Sequence, residues 1–351
     1  MGNFLRNFSG SLGVAVIGLA MAFWWGSTHA MGAWTALWLA LVLAIFEISL
    51  SFDNAVVNAG VLKHMDKFWR TMFLTVGILI AVFGMRLVFP IVIVALAGDM
   101  GIGDTIQMAL QKPDEYSRVL TSSYPAIAAF GGMFLLLVFL NFIFDDERGL
   151  HWLGSFEKRL ASLGKLDNIS VLTALVILFG MQWWLPPALQ LTVLVAGLAG
   201  VMLYIGVDVI SSLFGGPEGS NEVGTIVKRT GFGAFMYLEV LDASFSFDGV
   251  IGAFAITRDV VVIMIGLAIG AMFVRSMTIY LVNKGTLDEY VFLEHGAHYA
   301  IGVLAFIMLA GTQVHVSEVI TGLLGVAFIA ASLISSVRYR KQNPSVEKAV
   351  E

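Results

Sequence analysis

Ten long apolar runs leave this chain little choice of fold. They lie near residues 11–25, 34–62, 70–97, 126–144, 169–186, 188–213, 231–257, 259–283, 298–314 and 317–337. About 20 consecutive apolar residues cross the hydrocarbon core of a bilayer as an α-helix. The runs therefore predict an all-α, polytopic transmembrane bundle of about ten spans. The fifth and sixth are parted only by Pro186 and Pro187. Charged residues make up 13% of the chain, against about 25% in a soluble domain, which excludes a soluble globular reading. The first run follows Arg6 and precedes Ser27–Ala30, so it reads either as a cleaved signal segment or as a retained span. Trp24 and Trp25 at its end suit an interfacial belt and favour the span.

Loop charges orient the runs. With the N-terminus inside, the inner segments hold fifteen Lys and Arg residues and the outer segments three, Lys112, Arg118 and Arg258. This asymmetry is what the positive-inside rule expects, and it places both termini in the cytoplasm. The units are then an N-terminal span and outer loop (1–33), a first repeat (34–144), a charged cytoplasmic loop with connecting spans (145–230), a second repeat (231–337) and a tail (338–351). The inner loop 145–168 begins Asp145-Asp146-Glu147-Arg148. Its Leu150, Trp152, Leu153, Phe156 and Leu160 predict an amphipathic surface helix and a possible contact for cytoplasmic proteins. The outer stretch 98–125 is acidic, and the end of the tail reads as disordered.

Two of the runs share a phrase. Glu47 is followed, after five residues, by Asp53-Asn54, and Ser51-Phe52 precede Asp53. Asp242 is followed in the same way by Asp248-Gly249 behind Ser246-Phe247, with Glu239 one turn earlier. An acid at membrane depth costs about 2.5 to 3.5 kcal/mol on insertion scales, so a chain that repeats several in matching order has a use for them. The copies fall in spans 2 and 7, an odd number of crossings apart, and so run in opposite directions. Gly77 and Arg86 in span 3 repeat the spacing of Gly266 and Arg275 in span 8. Inverted repeats with polar groups near the midplane mark secondary transporters, which pairs spans 2–4 with spans 7–9.

If the repeats pack across a pseudo-two-fold axis, Glu47, Asp53, Asn54, Glu239, Asp242 and Asp248 would meet at one site. Carboxylate and amide oxygens suit Mn²⁺, Mg²⁺ or Ca²⁺. The absence of cysteine removes disulfides and thiolate ligands. Close, buried acids repel one another, so some should hold protons until a cation enters, which suggests cation/proton exchange. Arg86 and Arg275 would be counter-ions or gate elements, with Ser51 and Ser246 on the pathway. The bland alternative is that the arginines and acids merely hold the bundle together, but two arginines cannot neutralise five acids. On a regular helix residues six apart point about 120° away from each other. Either the helices break at the serines, or Asp53 and Asp248 face another part of the pathway. Gly249 and Gly252 would permit such a break. Asn58 and Asn141 read equally as pathway residues or as amides satisfied by a neighbouring helix, and Asp208 as interfacial. His295, His298 and His315 have no zinc spacing, and basic residues scattered at span ends give nucleic acid no patch. No nucleophile–base pair, zincin motif or phosphate loop points to an enzyme, and no resident cofactor is implied.

The segment Phe46–Ala55 resembles the motif of TerC-like integral membrane proteins, of the tellurium-resistance type within the lysine-exporter superfamily. Glu239–Gly249 is similar to that family's second motif. Asp145–Arg148 with His151-Trp152-Leu153 resembles a longer branch of the family. The resemblance covers about 34–340 and implies an inner-membrane exporter of divalent metal ions, Mn²⁺ foremost, with a link by name to tellurite resistance. Its site would be Glu47, Asp53, Asn54, Glu239, Asp242 and Asp248. A small-molecule or amino-acid exporter and a membrane scaffold in metal or tellurite stress stand as alternatives.

Overall fold

The computed structural model describes residues 2–214, 231–284, 289–314, 316 and 318–342. Lys228, Arg229, His315 and Lys348 lie outside them. The first half comprises α1 (Gly2–Thr28), α2 (Ala33–Leu50), α3 (Phe52–His64), α4 (Lys67–Met72), two π-helical segments (Phe73–Gly77 and Ile80–Val88), α5 (Phe89–Ala97), α6 (Ile102–Gln111), α7 (Pro113–Ser122) and α8 (Tyr124–Ile143). After α9 (Ser155–Ala161) and a 3₁₀ turn (Ser162–Lys165) come α10 (Ile169–Met181), α11 (Pro187–Phe214), α12 (Phe232–Ile256), α13 (Val260–Lys284), α14 (Leu293–Gly311) and α15 (Glu318–Gln342). Among the described residues there is no strand, as the apolar runs require.

Eight helices are individually long and apolar enough to cross a membrane, and a ninth crossing is possible if Ser155–Lys165 and Ile169–Met181 count as one bent element. Ten were expected. The shortfall has two causes. The fifth run forms only the 13-residue α10, about 20 Å long at 1.5 Å per residue. The seventh forms α12, which has ample length at 25 residues but carries Glu239, Asp242 and Asp248. The bundle shields those acids, burying nearly the whole of α12 from Tyr237 to Phe254.

The centre of the bundle is α8, most of whose residues are buried, whereas α1 lies largely exposed at the periphery. Leu135, Leu136 and Leu137 on α8 are fully buried, enclosed by α11, α12 and α14. A second core joins α1, α2, α12 and α13. There Ser11 on α1 donates to the Met272 carbonyl at 2.6 Å and lies 2.6 Å from the Ser276 hydroxyl. The acidic stretch 98–125 is a helical hairpin rather than an open loop. Pro113 opens α7 with Asp114 and Glu115 in its first turn, where the helix dipole favours acids. Tyr116 and Leu120 turn inward, and Asp114 pairs with Arg258. The segment 145–165 is pinned by a buried ionic cluster. Arg148 lies 3.1 Å and His295 3.4 Å from Glu157, and the Leu153 amide donates to the same carboxylate at 3.0 Å. Burial alone would push the Glu157 carboxyl up, but these hydrogen bonds and the Arg148 charge outweigh it and hold the carboxyl below its usual range.

Helices in lipid associate through close packing at small residues. At Gly266 of α13 an added Cβ would lie 2.5 Å from Leu43 Cβ and 2.9 Å from the Ala40 carbonyl. Overpacking of this kind costs about 1 to 3 kcal/mol. Gly266→Ala should therefore lower the thermal unfolding temperature in detergent. Gly180→Ala, where nothing lies within 4 Å of the new atom, should leave it nearly unchanged.

Candidate functional site

The first copy of the repeated phrase is kinked and the second is straight. Helix α2 ends at Leu50, Ser51 sits at φ −101°, ψ 16°, and α3 resumes at Phe52. The Ser51 amide still donates to the Glu47 carbonyl at 3.0 Å and the Ala55 amide to the Ser51 carbonyl at 3.1 Å, so the chain bends without unwinding. Helix α12 runs unbroken through Ser246, Gly249 and Gly252.

The two copies lie side by side and antiparallel. The Glu47 carboxylate lies where a side chain on Gly249 would stand, 2.9 Å from its missing Cβ. Asn54 and Asn58 donate to Asp242 Oδ1 at 2.7 and 2.8 Å. Trp69 packs on Phe232 and Phe235. Contacts that advance along α2–α4 thus retreat along α12. The offset that carries Glu47 to Asp242 also carries Asn54 to Gly249, so the Glu47–Gly249 and Asp242–Asn54 contacts are exchanged by the same pseudo-two-fold relation. The chemistry at the two is not equal. Asn54 supplies an amide to Asp242, whereas Gly249 offers Glu47 no side chain. Glu47 is instead ion-paired with Arg86 and accepts from the Ser51 hydroxyl at 3.0 Å. Arg86 also donates to the Ala81 carbonyl at 2.6 Å within its own π-helical segment.

Beside these contacts lies a cavity of about 40 Å³. Its polar walls are Ser51, Asn54, Asn58, Arg86, Asp242, Ser246, Arg275 and Thr278. A volume of about 10 to 15 Å³ on this measure admits one water, so the cavity has room for an ion with a few waters. A carboxylate can only accept, which fixes both amide nitrogens toward Asp242. The amide oxygens Asn54 Oδ1 and Asn58 Oδ1 are then buried with no hydrogen-bond partner, as are both carboxylate oxygens of Glu239. Glu239 packs directly over Gly77, where any side chain would collide with it. Arg275 lies over the Phe73 ring at 5.6 Å, within electrostatic reach of Glu239 and Asp242.

The six residues singled out in the sequence are therefore only partly brought together. Asn54 and Asp242 line the cavity with Ser51, Ser246, Arg86 and Arg275, while Glu47 and Glu239 stand behind its walls, against Arg86 and Gly77. Asp53 and Asp248 turn elsewhere, as the 120° offset on a regular helix allowed. Asp53 is buried toward α15, 3.7 Å from the position of a Cβ on Gly325, and accepts from the Asn54 amide. Asp248 faces the start of α8, where the Tyr124 hydroxyl donates to it at 3.4 Å. Asn58 belongs to the site, and its place one helical turn after Asn54 was the signal for it. Asn141 does not, since it donates to Tyr204 at 2.6 Å. Among the described residues no three His, Asp or Glu side chains converge as a ready metal group. Asp208 is half-buried on α11. His295 and His298 contact the Leu150 and Glu294 carbonyls.

This arrangement defines a class: a polytopic helical membrane protein with a buried, charge-rich polar centre between two antiparallel copies of one motif. Residues 52–343 match the family described as "Protein of unknown function (DUF475)", and the chain belongs to that family. No curated protein and no solved structure matches the chain.

Breaking a buried ion pair by removing one partner costs about 3 to 5 kcal/mol, because the other charge is left uncompensated. Arg86→Met should therefore strongly lower the unfolding temperature. Adding Glu47→Gln should restore much of it, a coupling read directly from a double-mutant cycle of thermal melts.

Proposed function

We propose that the protein is a transporter that moves a hard divalent cation, Mn²⁺ foremost, across the bacterial inner membrane in exchange for protons, and that it is not an enzyme. The observation that carries this reading is the charge balance of the bundle interior. Glu47, Asp53, Glu239, Asp242 and Asp248 are set against Arg86 and Arg275, and four oxygens of Asn54, Asn58 and Glu239 have no donor. Unpartnered buried oxygens beside excess negative charge are what a hard cation satisfies, and what protons satisfy when it leaves. Asp242 with the Asn54 and Asn58 carbonyl oxygens forms the primary cradle. Glu239 and the serines stand beside it, and Asp53 and Asp248 are separate stations rather than direct ligands. One or two carboxylates with neutral oxygens and retained waters is an ordinary donor set for such ions. Arg86 is the resident counter-ion of Glu47.

The resemblance to TerC-like proteins supports export and manganese, as well as an inner-membrane location with both termini cytoplasmic. Tellurite tolerance would be a secondary phenotype. A free amino acid as cargo has less support, because the cavity holds only a few waters' volume.

In proteoliposomes with an imposed proton gradient, wild-type protein should carry Mn²⁺, and the flux should reverse with the sign of the gradient. Asp242→Asn should abolish it. Asn58→Ala, which removes a group orienting the carboxylate, should weaken apparent Mn²⁺ affinity by about 10- to 100-fold. Normal flux in both variants, or none in folded wild type, would sink the proposal.

A further inference from the structure

We propose that the segment Ser155–Lys165 is a docking surface for anionic phospholipid headgroups at one face of the bilayer, whatever crosses the bundle. Three independent features of the segment converge on this. The first is direction. The segment meets α10 at 103°, so where α10 runs along the bilayer normal the segment lies close to the membrane plane.

The second is the distribution of side chains around it. At about 100° per residue, Glu157 and Ala161 share the face turned to the bundle, and both are buried. Phe156 lies on one flank and is 62% exposed. Leu153 before the helix and Leu163 and Leu166 after it are exposed as well, and they continue into the exposed apolar face of α10 at Leu172, Val176 and Phe179. The opposite flank carries Lys158 and, further round, Arg159. A helix with apolar side chains on one flank and cations on the other lies at the acyl–headgroup boundary.

The third is charge. From Leu150 to Leu166 the only acid is Glu157. It is fully buried and engaged by Arg148 and His295, so it cannot offset the cations outside. Lys158, Arg159 and Lys165 are all exposed. Within Ser155–Lys165 the exposed charges are therefore all cationic, and with the single exposed acid Asp167 two residues beyond Lys165 the segment keeps a net positive, partly apolar outer face, which complements an anionic lipid surface. The Glu157 cluster holds the segment in that orientation.

The chain has no cysteine, so Leu163→Cys can carry a single environment-sensitive fluorophore in the full-length protein. The labelled protein is placed in lipid nanodiscs of phosphatidylcholine alone or of phosphatidylcholine with phosphatidylglycerol, with lipid-borne nitroxide as quencher. The expected result is blue-shifted, quenched emission that strengthens with phosphatidylglycerol. Each Lys or Arg near an anionic surface favours the bound state about fivefold, so Lys158→Gln with Arg159→Gln and Lys165→Gln should remove an anionic preference of about a hundredfold. A label on Leu172→Cys, on the outer face of α10, checks insertion and should stay quenched throughout. Equal spectra in both lipids, or a preference that survives the triple substitution, would overturn the proposal. A label that stays aqueous in both discs and shifts only on addition of soluble cell protein would also overturn it, in favour of a protein-docking surface.

Discussion

The whole bundle is arranged around the cost of holding carboxylates in a low-dielectric interior. Five buried or partly buried acids cannot be left to themselves at membrane depth, and each has been given a different answer. Glu47 has a guanidinium and a hydroxyl. Asp242 has two amides on one oxygen. Asp53 has the backbone amide of Asn54, and Asp248 a phenol. Glu239 has only the distant charge of Arg275 and the space above Gly77. Much of the packing follows from these answers. The second core seats α13 against α2 close enough for Glu47 to touch Gly270, whose added Cβ would lie 2.5 Å from the Glu47 Cβ. Helix α8 walls the other side with fully buried leucines. An apolar shell of this kind strengthens every electrostatic interaction inside it.

Pseudo-symmetry explains how one motif supplies two of these environments. Under the relation that exchanges the copies, Glu47 and Asp242 occupy equivalent places, as do Asn54 and Gly249. One substitution, amide for hydrogen, makes the equivalents behave differently. Where Asn54 stands, the opposing carboxylate is hydrogen-bonded to two neutral amides, with Arg275 within electrostatic reach. Where Gly249 stands, the carboxylate comes close to the backbone and takes a full positive charge from Arg86. Two like acids thus have unlike partners, an ion pair for Glu47 and two amides for Asp242.

Much of this is legible in the sequence. The all-helical bundle follows from the apolar runs, and the antiparallel meeting of the copies from an odd number of crossings. The residues around the cavity follow from a duplicated pattern that lipid makes expensive. What could not be read was local. The sequence admitted a break at either serine, and only Ser51 has one. Gly249 and Gly252 looked like hinges in α12, yet both are buried in an unbroken helix whose neighbours hold it straight. The hairpin α6–α7 was hidden because its helices are short and its composition reads as loop, although Pro113 followed by two acids is a helix start. Asp53 and Asp248 were grouped with the others by repetition, which carries no information about side-chain direction. Side-chain direction is set by the helical period, and that period turns them away.

The two halves of the repeat also differ in regularity, and the difference falls where the charges are. Helices α12 and α13 are continuous over 25 residues each. Their counterparts are interrupted by the bend at Ser51 and by π-helical turns at Phe73–Gly77 and Ile80–Val88. π-helical turns are rare and gather at functional sites, because they give up regular hydrogen bonding for a particular side-chain placement. Here one of them carries Arg86, whose guanidinium bonds the Ala81 carbonyl of the same segment while it reaches Glu47. The other ends at Gly77, over which Glu239 packs. The irregular half therefore presents Glu47 with its counter-ion Arg86 and the space beneath Glu239, and the regular half presents Glu239, Asp242 and Arg275. On the transport reading this division is the one an exchange cycle needs. A continuous helix holds Glu239 and Asp242 in fixed register, and the π-helical element opposite is the one that would move the Arg86 charge aside when a cation arrives.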